Sequence, residues 1–207
     1  MIKKLSRFTS LPILLDMLSG KKITLLDPVL WEDKNDTEVI MEYKKRKELK
    51  NLLALCFTHE DETVHHWKTF SGGNSGCVVE FDAQRMFAIF DRIDGLRHQP
   101  VVYRKISDVQ REAGKMDVEE MPFTKRWPFR CEAEYRVIYE GDCSDTFYNI
   151  QIPLELINKI TISQHMPKAV YETIKGYLRG LKGDPESRIS HSTLYENRKW
   201  VNSFKKK

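Results

Sequence analysis

The spacing of apolar positions changes along the chain, and each change marks an element. Residues 52–57, LLALCF, form a continuous apolar run, as expected of a strand covered on both faces. Leu11, Leu14, Leu15 and Leu18 recur at helical spacing. Ser10 precedes them as an N-cap, Pro12 falls in the first turn, and Gly20 stands where the helix should stop. Short strands are predicted at residues 4–8, 23–26, 77–81, 100–103, 160–163 and 188–190. Residues 130–139 and 147–152 read as a strand pair joined by a turn over 141–145. Residues 27–36 read as a polar loop. Helices are predicted over 38–50, 63–70, 105–120, 167–181 and 194–204, and from an Asp82 cap to residue 93. About eight short strands with irregular helical connections define an α+β fold. The expectation is a single domain over residues 1–207, with a largely antiparallel mixed sheet flanked by helices.

Composition narrows the class. The 207 residues carry a formal charge of +4, too mild for a dedicated nucleic-acid binder. No run of about 18 apolar residues occurs, which argues against a membrane span. The opening MIKKLSRFTSLPILLDML is basic and then apolar, but Arg7, Pro12 and Asp16 interrupt it and no small-residue cleavage site follows, so it is not read as a signal peptide. Cys56, Cys77, Cys131 and Cys143 form no CxxC pair and sit in or beside apolar segments, so they read as buried thiols in a reducing cytoplasm. Basic residues gather at Lys44, Lys45, Arg46, Lys47 and Lys50, and again at Lys205, Lys206 and Lys207.

Five constellations could carry chemistry. If residues 131–139 are a strand, Glu132, Glu134 and Arg136 share one face, bringing two carboxylates and a guanidinium together. Trp31-Glu32-Asp33-Lys34-Asn35-Asp36 offers Asx turns, or groups for a ribose hydroxyl or a metal. His59-Glu60-Asp61-Glu62 with His65 and His66 invites a metal reading, but its spacing fits no common motif. Gly72-Gly73-Asn74-Ser75-Gly76 reads as a turn or a ligand-approach loop. Arg7 ends the first strand and could grip a phosphate or carboxylate with a bidentate fork.

The order of these blocks resembles a bacterial family known as domain of unknown function 2971. The resemblance rests on Arg7-Phe8, LLDML-SGK-ITLLDP, WEDKND, LCFT, Trp67, GCVVEF, VVY and EAEYRVIYE, over residues 5 to 165, and leaves a C-terminal helical region from 166 to 207. Thr58, His66 and Phe70 stand where Ser, Met and Tyr are usual. The same order resembles, more distantly, the ADP-ribosyltransferase fold. That likeness implies NAD as substrate, no metal, Glu134 as the catalytic acid, Glu132 orienting the acceptor, and Arg7 contacting NAD. Asn35, Asp36, Thr58, Trp67, Tyr103 and Arg136 would complete the NAD site, with Trp67 or Tyr103 stacking on a ring. The acceptor would be a protein or a nucleic acid, and the role that of a toxin or phage-defence effector. Two alternatives stand beside this reading. One is a metal-dependent nuclease or phosphohydrolase using Asp33, Asp36, Glu132 and Glu134. The other is a non-catalytic binding module whose contact surface is the cluster from Lys44 to Lys50.

Overall fold

The computed structural model describes residues 1–112, 114–142, 145–184 and 188–205. The expected turn over 141–145, Cys143, Lys206 and Lys207 lie wholly or partly outside them. In chain order the elements are β1 (Lys4–Ser10), α1 (Leu11–Gly20), β2 (Lys22–Leu26), α2 (Lys34–Arg46), β3 (Asn51–Thr58), α3 (Val64–Phe70), β4 (Gly76–Asp82), α4 (Ala83–Phe90), β5 (Leu96–Pro100), β6 (Val102–Arg104), α5 (Ile106–Arg111), β7 (Thr124–Arg126), β8 (Glu134–Gly141), β9 (Phe147–Gln151), β10 (Ile157–Ile162), α6 (Lys168–Lys182), β11 (Ile189–His191) and α7 (Arg198–Ser203). The expected α+β class holds. Nine strands form one mostly antiparallel sheet, in which only β11 runs parallel to its neighbour, and β6 and β7 form a separate parallel pair.

The sheet divides at β3. One edge of β3 pairs with β8 along its whole length, from Asn51 opposite Gly141 to Thr58 opposite Glu134. The other edge is shared. β1 meets it only where Ser6 faces Thr58, and β2 only where Leu26 faces Ala54. Beyond β1 the sheet continues through β4, β10 and β11, and beyond β2 it ends at β9. Between the two contacts no strand among the described residues pairs with the edge of β3 around Cys56, and a gap opens in the sheet.

Each face has its own core. On one face α1 buries Leu14, Met17 and Leu18, α4 buries Met86 and Phe90, and α6 buries Leu178, against Leu53, Leu55, Phe57, Val79 and Val137. Full burial of a side chain of this size contributes roughly 1.5–3 kcal/mol. On the other face Ile40 and Tyr43 of α2 pack on Leu52, Ala54 and Ile138 with Phe123. The alternation of β3 and β8 sorts their side chains between these layers.

Several boundaries differ from expectation. α2 starts at Lys34, four residues early, because Asp33 caps it by accepting from the backbone N–H groups of Asn35 and Asp36. α1 has Ser10 at its N-cap without a side-chain cap bond, and its left-handed stop is Lys21, not Gly20. The segment LRHQP, which lacks β-branched residues, is strand β5 and pairs with β8. β8 and β9 are not a hairpin: β9 pairs with β2, and β8 lies between β3 and β5. Helix α7 is shorter than predicted, and Cys131 is exposed while Cys77 is buried.

Candidate functional site

The gap in the sheet opens into a cleft of about 920 Å³. That volume falls in the range of small-molecule sites. Its walls come from β1 (Ser6, Arg7, Phe8), β2 (Thr24, Leu26), the α2 entrance (Trp31 to Asp36), β3 (Ala54 to Thr58), α3 (His66, Thr69, Phe70), the segment before β8 (Lys125, Phe129, Glu132) and the first residue of β8 (Glu134).

Arg7 stands at the gap. Its Nη1 donates to the carbonyl of Cys56 at 3.1 Å, on the strand-free stretch of β3. Among the described residues it has that hydrogen bond and no carboxylate partner. Burial depresses its pKa, so the charge is held at an electrostatic disadvantage. A half-buried guanidinium with spare donors is a receptacle for an anion.

The acid side is the reverse, crowded and paired. Strand β8 begins at Glu134, because Ala133 is left-handed (φ 42°) and the preceding residues 127–132 are a 3-10 turn. Glu132 therefore precedes the strand and does not share its face by alternation. Lys125 brings it in instead: its Nζ donates to Glu132 Oε2 at 2.6 Å and to Glu134 Oε2 at 3.2 Å, and lies 3.5 Å from Asp36 Oδ2. Arg136 is fully buried and spends all five of its donors. Nε and Nη2 donate to Glu134 at 2.6 and 3.0 Å, Nη1 and Nη2 to Asp36 at 3.0 and 2.6 Å, and Nη1 also to the Pro122 carbonyl at 2.8 Å. Trp31 covers the guanidinium at 4.8 Å from its ring centroid.

The charges decide the protonation of the pair. Burial alone would raise the Glu134 carboxyl, but Arg136 and Lys125 hold it at about 2. Glu132 is raised, first by burial and then by Glu134 and Asp36, with Lys125 opposing. Three carboxylates face two cations here. The paired contacts leave Oε1 of Glu132 without a hydrogen bond among the described residues, and Glu132 lines the cleft. Further bonds fix the frame. The Glu134 N–H donates to the Tyr103 hydroxyl at 2.8 Å, and Thr58 Oγ1 donates to the Ala133 carbonyl at 3.3 Å. His66, buried and with its pKa lowered by burial, has Nε2 3.0 Å from the Glu132 carbonyl.

The structure thus gathers Arg7, Asn35, Asp36, Thr58, Glu132 and Glu134 around one cleft. Arg136 sits beneath it with no donor to spare. Trp67 and Tyr103 are not among the cleft's lining residues. Trp67 lies on the other side of α3, donates to Glu62 Oε2 at 2.7 Å, and walls a separate pocket of about 240 Å³ with Ser71, Gly73 and Tyr195. The glycine loop borders that pocket too, not the cleft. Phe8, Trp31, Phe70 and Phe129 are among the aromatic residues that wall the cleft. Lys125 and Phe129 escaped the sequence reading, since they lie between short irregular turns with no period to expose them. Of the acids of the metal reading, Asp36 and Glu134 have both oxygens on Arg136 or Lys125, Asp33 caps α2 through one oxygen, and Glu132 is held by Lys125 through one oxygen. Among the described residues no cluster of His, Cys, Asp or Glu is arranged to hold a metal ion, and no helix is long and apolar enough to cross a membrane.

No family model matches the chain, and no curated protein does either. Solved structures of similar shape include those of DarT from Thermus sp. 2.9. The complex with ADP-ribosylated ssDNA is 12% identical, with a TM-score of 0.46, over 92% of this chain and 94% of that one. The complex with NAD+ is 10% identical, with a TM-score of 0.45, over 93% and 96%. The complex with carba-NAD+ is 12% identical, with a TM-score of 0.43, over the same shares. At these identities and scores the likeness assigns no function to this chain.

Proposed function

We propose that the chain is an NAD-using enzyme of the ADP-ribosyltransferase type. The observation that carries this is one cleft with an unpaired Arg7 at the sheet gap and a glutamate pair, Glu132 and Glu134, on another wall. A dinucleotide has both complements: a pyrophosphate for the guanidinium, and a ribose that becomes cationic when its base departs. In the reaction the bond between C1′ and the nicotinamide nitrogen breaks, and nicotinamide leaves with the electron pair. The resulting oxocarbenium-like ribose is stabilised by the ionised Glu134, which stays charged at neutral pH because Arg136 and Lys125 hold it down. The acceptor forms the new bond to C1′ and loses its proton. Glu132, whose carboxyl is raised by burial and has one oxygen unengaged, is suited to receive it. Phe8, Trp31, Phe70 and Phe129 supply flat apolar surface for the two bases. Arg136 acts here as a positioning residue, since its donors are consumed in aligning Glu134 and Asp36.

The test is nicotinamide release from NAD by the purified protein, alone and with added protein or nucleic acid, beside Glu134→Gln and Glu132→Gln. Release from the wild type that falls at least 100-fold in Glu134→Gln supports the reading. No release in any mixture, or undiminished release by Glu134→Gln, overturns it. Expression of the wild type that arrests growth, with relief by the same substitution, would extend the proposal to a toxin or phage-defence role.

A further inference from the structure

The parallel pair β6–β7 is small and lies apart from the main sheet. Its register sets Tyr103 opposite Lys125 and Arg104 opposite Arg126. It thereby brings Lys105 beside the segment that runs from Lys125 to Glu132. Trp127 stands out on that segment, 41% exposed. Its ring has the Arg130 guanidinium at 4.9 Å and the Lys105 ammonium at 5.8 Å. Arg126, next in sequence, is exposed as well. The neighbouring cations are neutralised: Arg104 pairs with Glu112, and Lys125 with the acids of the cleft. Lys105, Arg126 and Arg130 have no carboxylate partner among the described residues. Three uncompensated cations around an exposed indole form a strip with both charge and a flat face.

The strip leads inward. Phe129, two residues from Trp127, lines the cleft with the Lys125 ammonium 5.0 Å from its ring centroid. Glu132 ends the same 3-10 turn. At about 2 Å of rise per residue, Trp127 and Glu132 are roughly 10 Å apart along the turn. A group held at the strip is therefore within reach of the glutamates.

We propose that this strip, Lys105, Arg126, Trp127 and Arg130, binds a single-stranded nucleic acid and feeds it toward the cleft. Cations that track a backbone, together with aromatic rings on which bases stack, are the two requirements of single-strand binding. A duplex hides its base faces from the Trp127 ring. An acidic peptide would use the cations but not the indole. That the strand is the acceptor rests on the NAD reading; that the strip binds it does not.

Fluorescence anisotropy with a labelled mixed-sequence 20-nucleotide single strand, in the absence of NAD, tests the strip directly. Trp127→Ala should weaken binding about tenfold or more. Arg126→Glu with Arg130→Glu should weaken it further and flatten its dependence on salt, because fewer counterions are released. Lys44→Glu with Lys45→Glu, on the basic cluster of α2, should change binding less than twofold. Should a charge-reversed protein fail to fold by circular dichroism, Lys105→Ala and Arg130→Ala replace it. Wild-type binding that is absent, or equal in the strip variants, overturns the proposal. So does equal or tighter binding of a duplex or a poly-glutamate peptide. Nicotinamide release is measured separately: a protein that binds the strand but never releases nicotinamide would defeat the enzymatic reading and leave the strip standing.

Discussion

The two edges of β3 differ in completeness. Toward β8 the strand makes an unbroken ladder from Asn51 to Thr58, and behind that ladder Asp36, Glu132 and Glu134 are held by Arg136 and Lys125. Toward β1 and β2 it makes one paired contact with each, and the cation in the opening, Arg7, has only the Cys56 carbonyl among the described residues. The closed edge is where the fold is held, and the open edge is where a ligand can be received. Buried charge reads differently in the two places. At the closed edge its pairing fixes geometry, while at the open edge the lack of pairing marks a site.

The contrast can be broken in several ways. The largest effect should come from Arg136→Met at the closed edge. It strips Asp36 and Glu134 of the guanidinium they share and leaves Lys125 as the cation beside them, a change worth about 3–5 kcal/mol. Urea unfolding should show that loss in full, and an unchanged midpoint would refute the clamp.

Acid should act on the same edge. The Glu134 carboxyl sits at about 2 against an ordinary value of 4.5, so its contribution is fully present above about pH 4.5. It is lost as pH falls toward about 2, and over that window amounts to about 3 kcal/mol. Stability measured from pH 6 to pH 2 should fall less steeply in Glu134→Gln than in the wild type. Parallel curves would contradict the assignment.

At the open edge the signs separate. Arg7→Met removes a half-buried cation that has no counter-ion among the described residues, so the free protein should unfold within about 1 kcal/mol of the wild type or later. Ligand affinity should drop by at least tenfold in the same variant. A stability loss as large as that of Arg136→Met would erase the distinction between the edges. The smallest effect is expected from Tyr103→Phe, which removes the hydroxyl that accepts from the Glu134 N–H. About 1 kcal/mol should go from stability, and activity should fall only severalfold.

Much of the closed edge was legible in the sequence. LLALCF announced β3, and Glu134 and Arg136 followed from period two on β8. The open edge was less so. The split is a matter of which strand pairs where, and local pattern carries no pairing information. It was a turn signal around Gly141 that suggested a β8–β9 hairpin, whereas β9 instead closes the sheet beyond β2. Glu132 was named for a shared strand face, yet it reaches the cluster through the left-handed Ala133 and Lys125. Lys125 had no signal at all, since a lone lysine in KRWPF looks like any surface lysine. Trp67 was chosen for its ring, but helical phase turns it to the far side of α3 and gives the cleft His66 and Phe70 instead.

The central claim, that the open edge of β3 is a dinucleotide site, is tested most directly by calorimetric titration of NAD into wild type, Arg7→Met and Glu134→Gln at neutral pH. The account predicts saturable binding by the wild type, binding weakened at least tenfold by Arg7→Met, and folded variants throughout. Equal affinity in wild type and Arg7→Met, or no binding by the wild type, would contradict it.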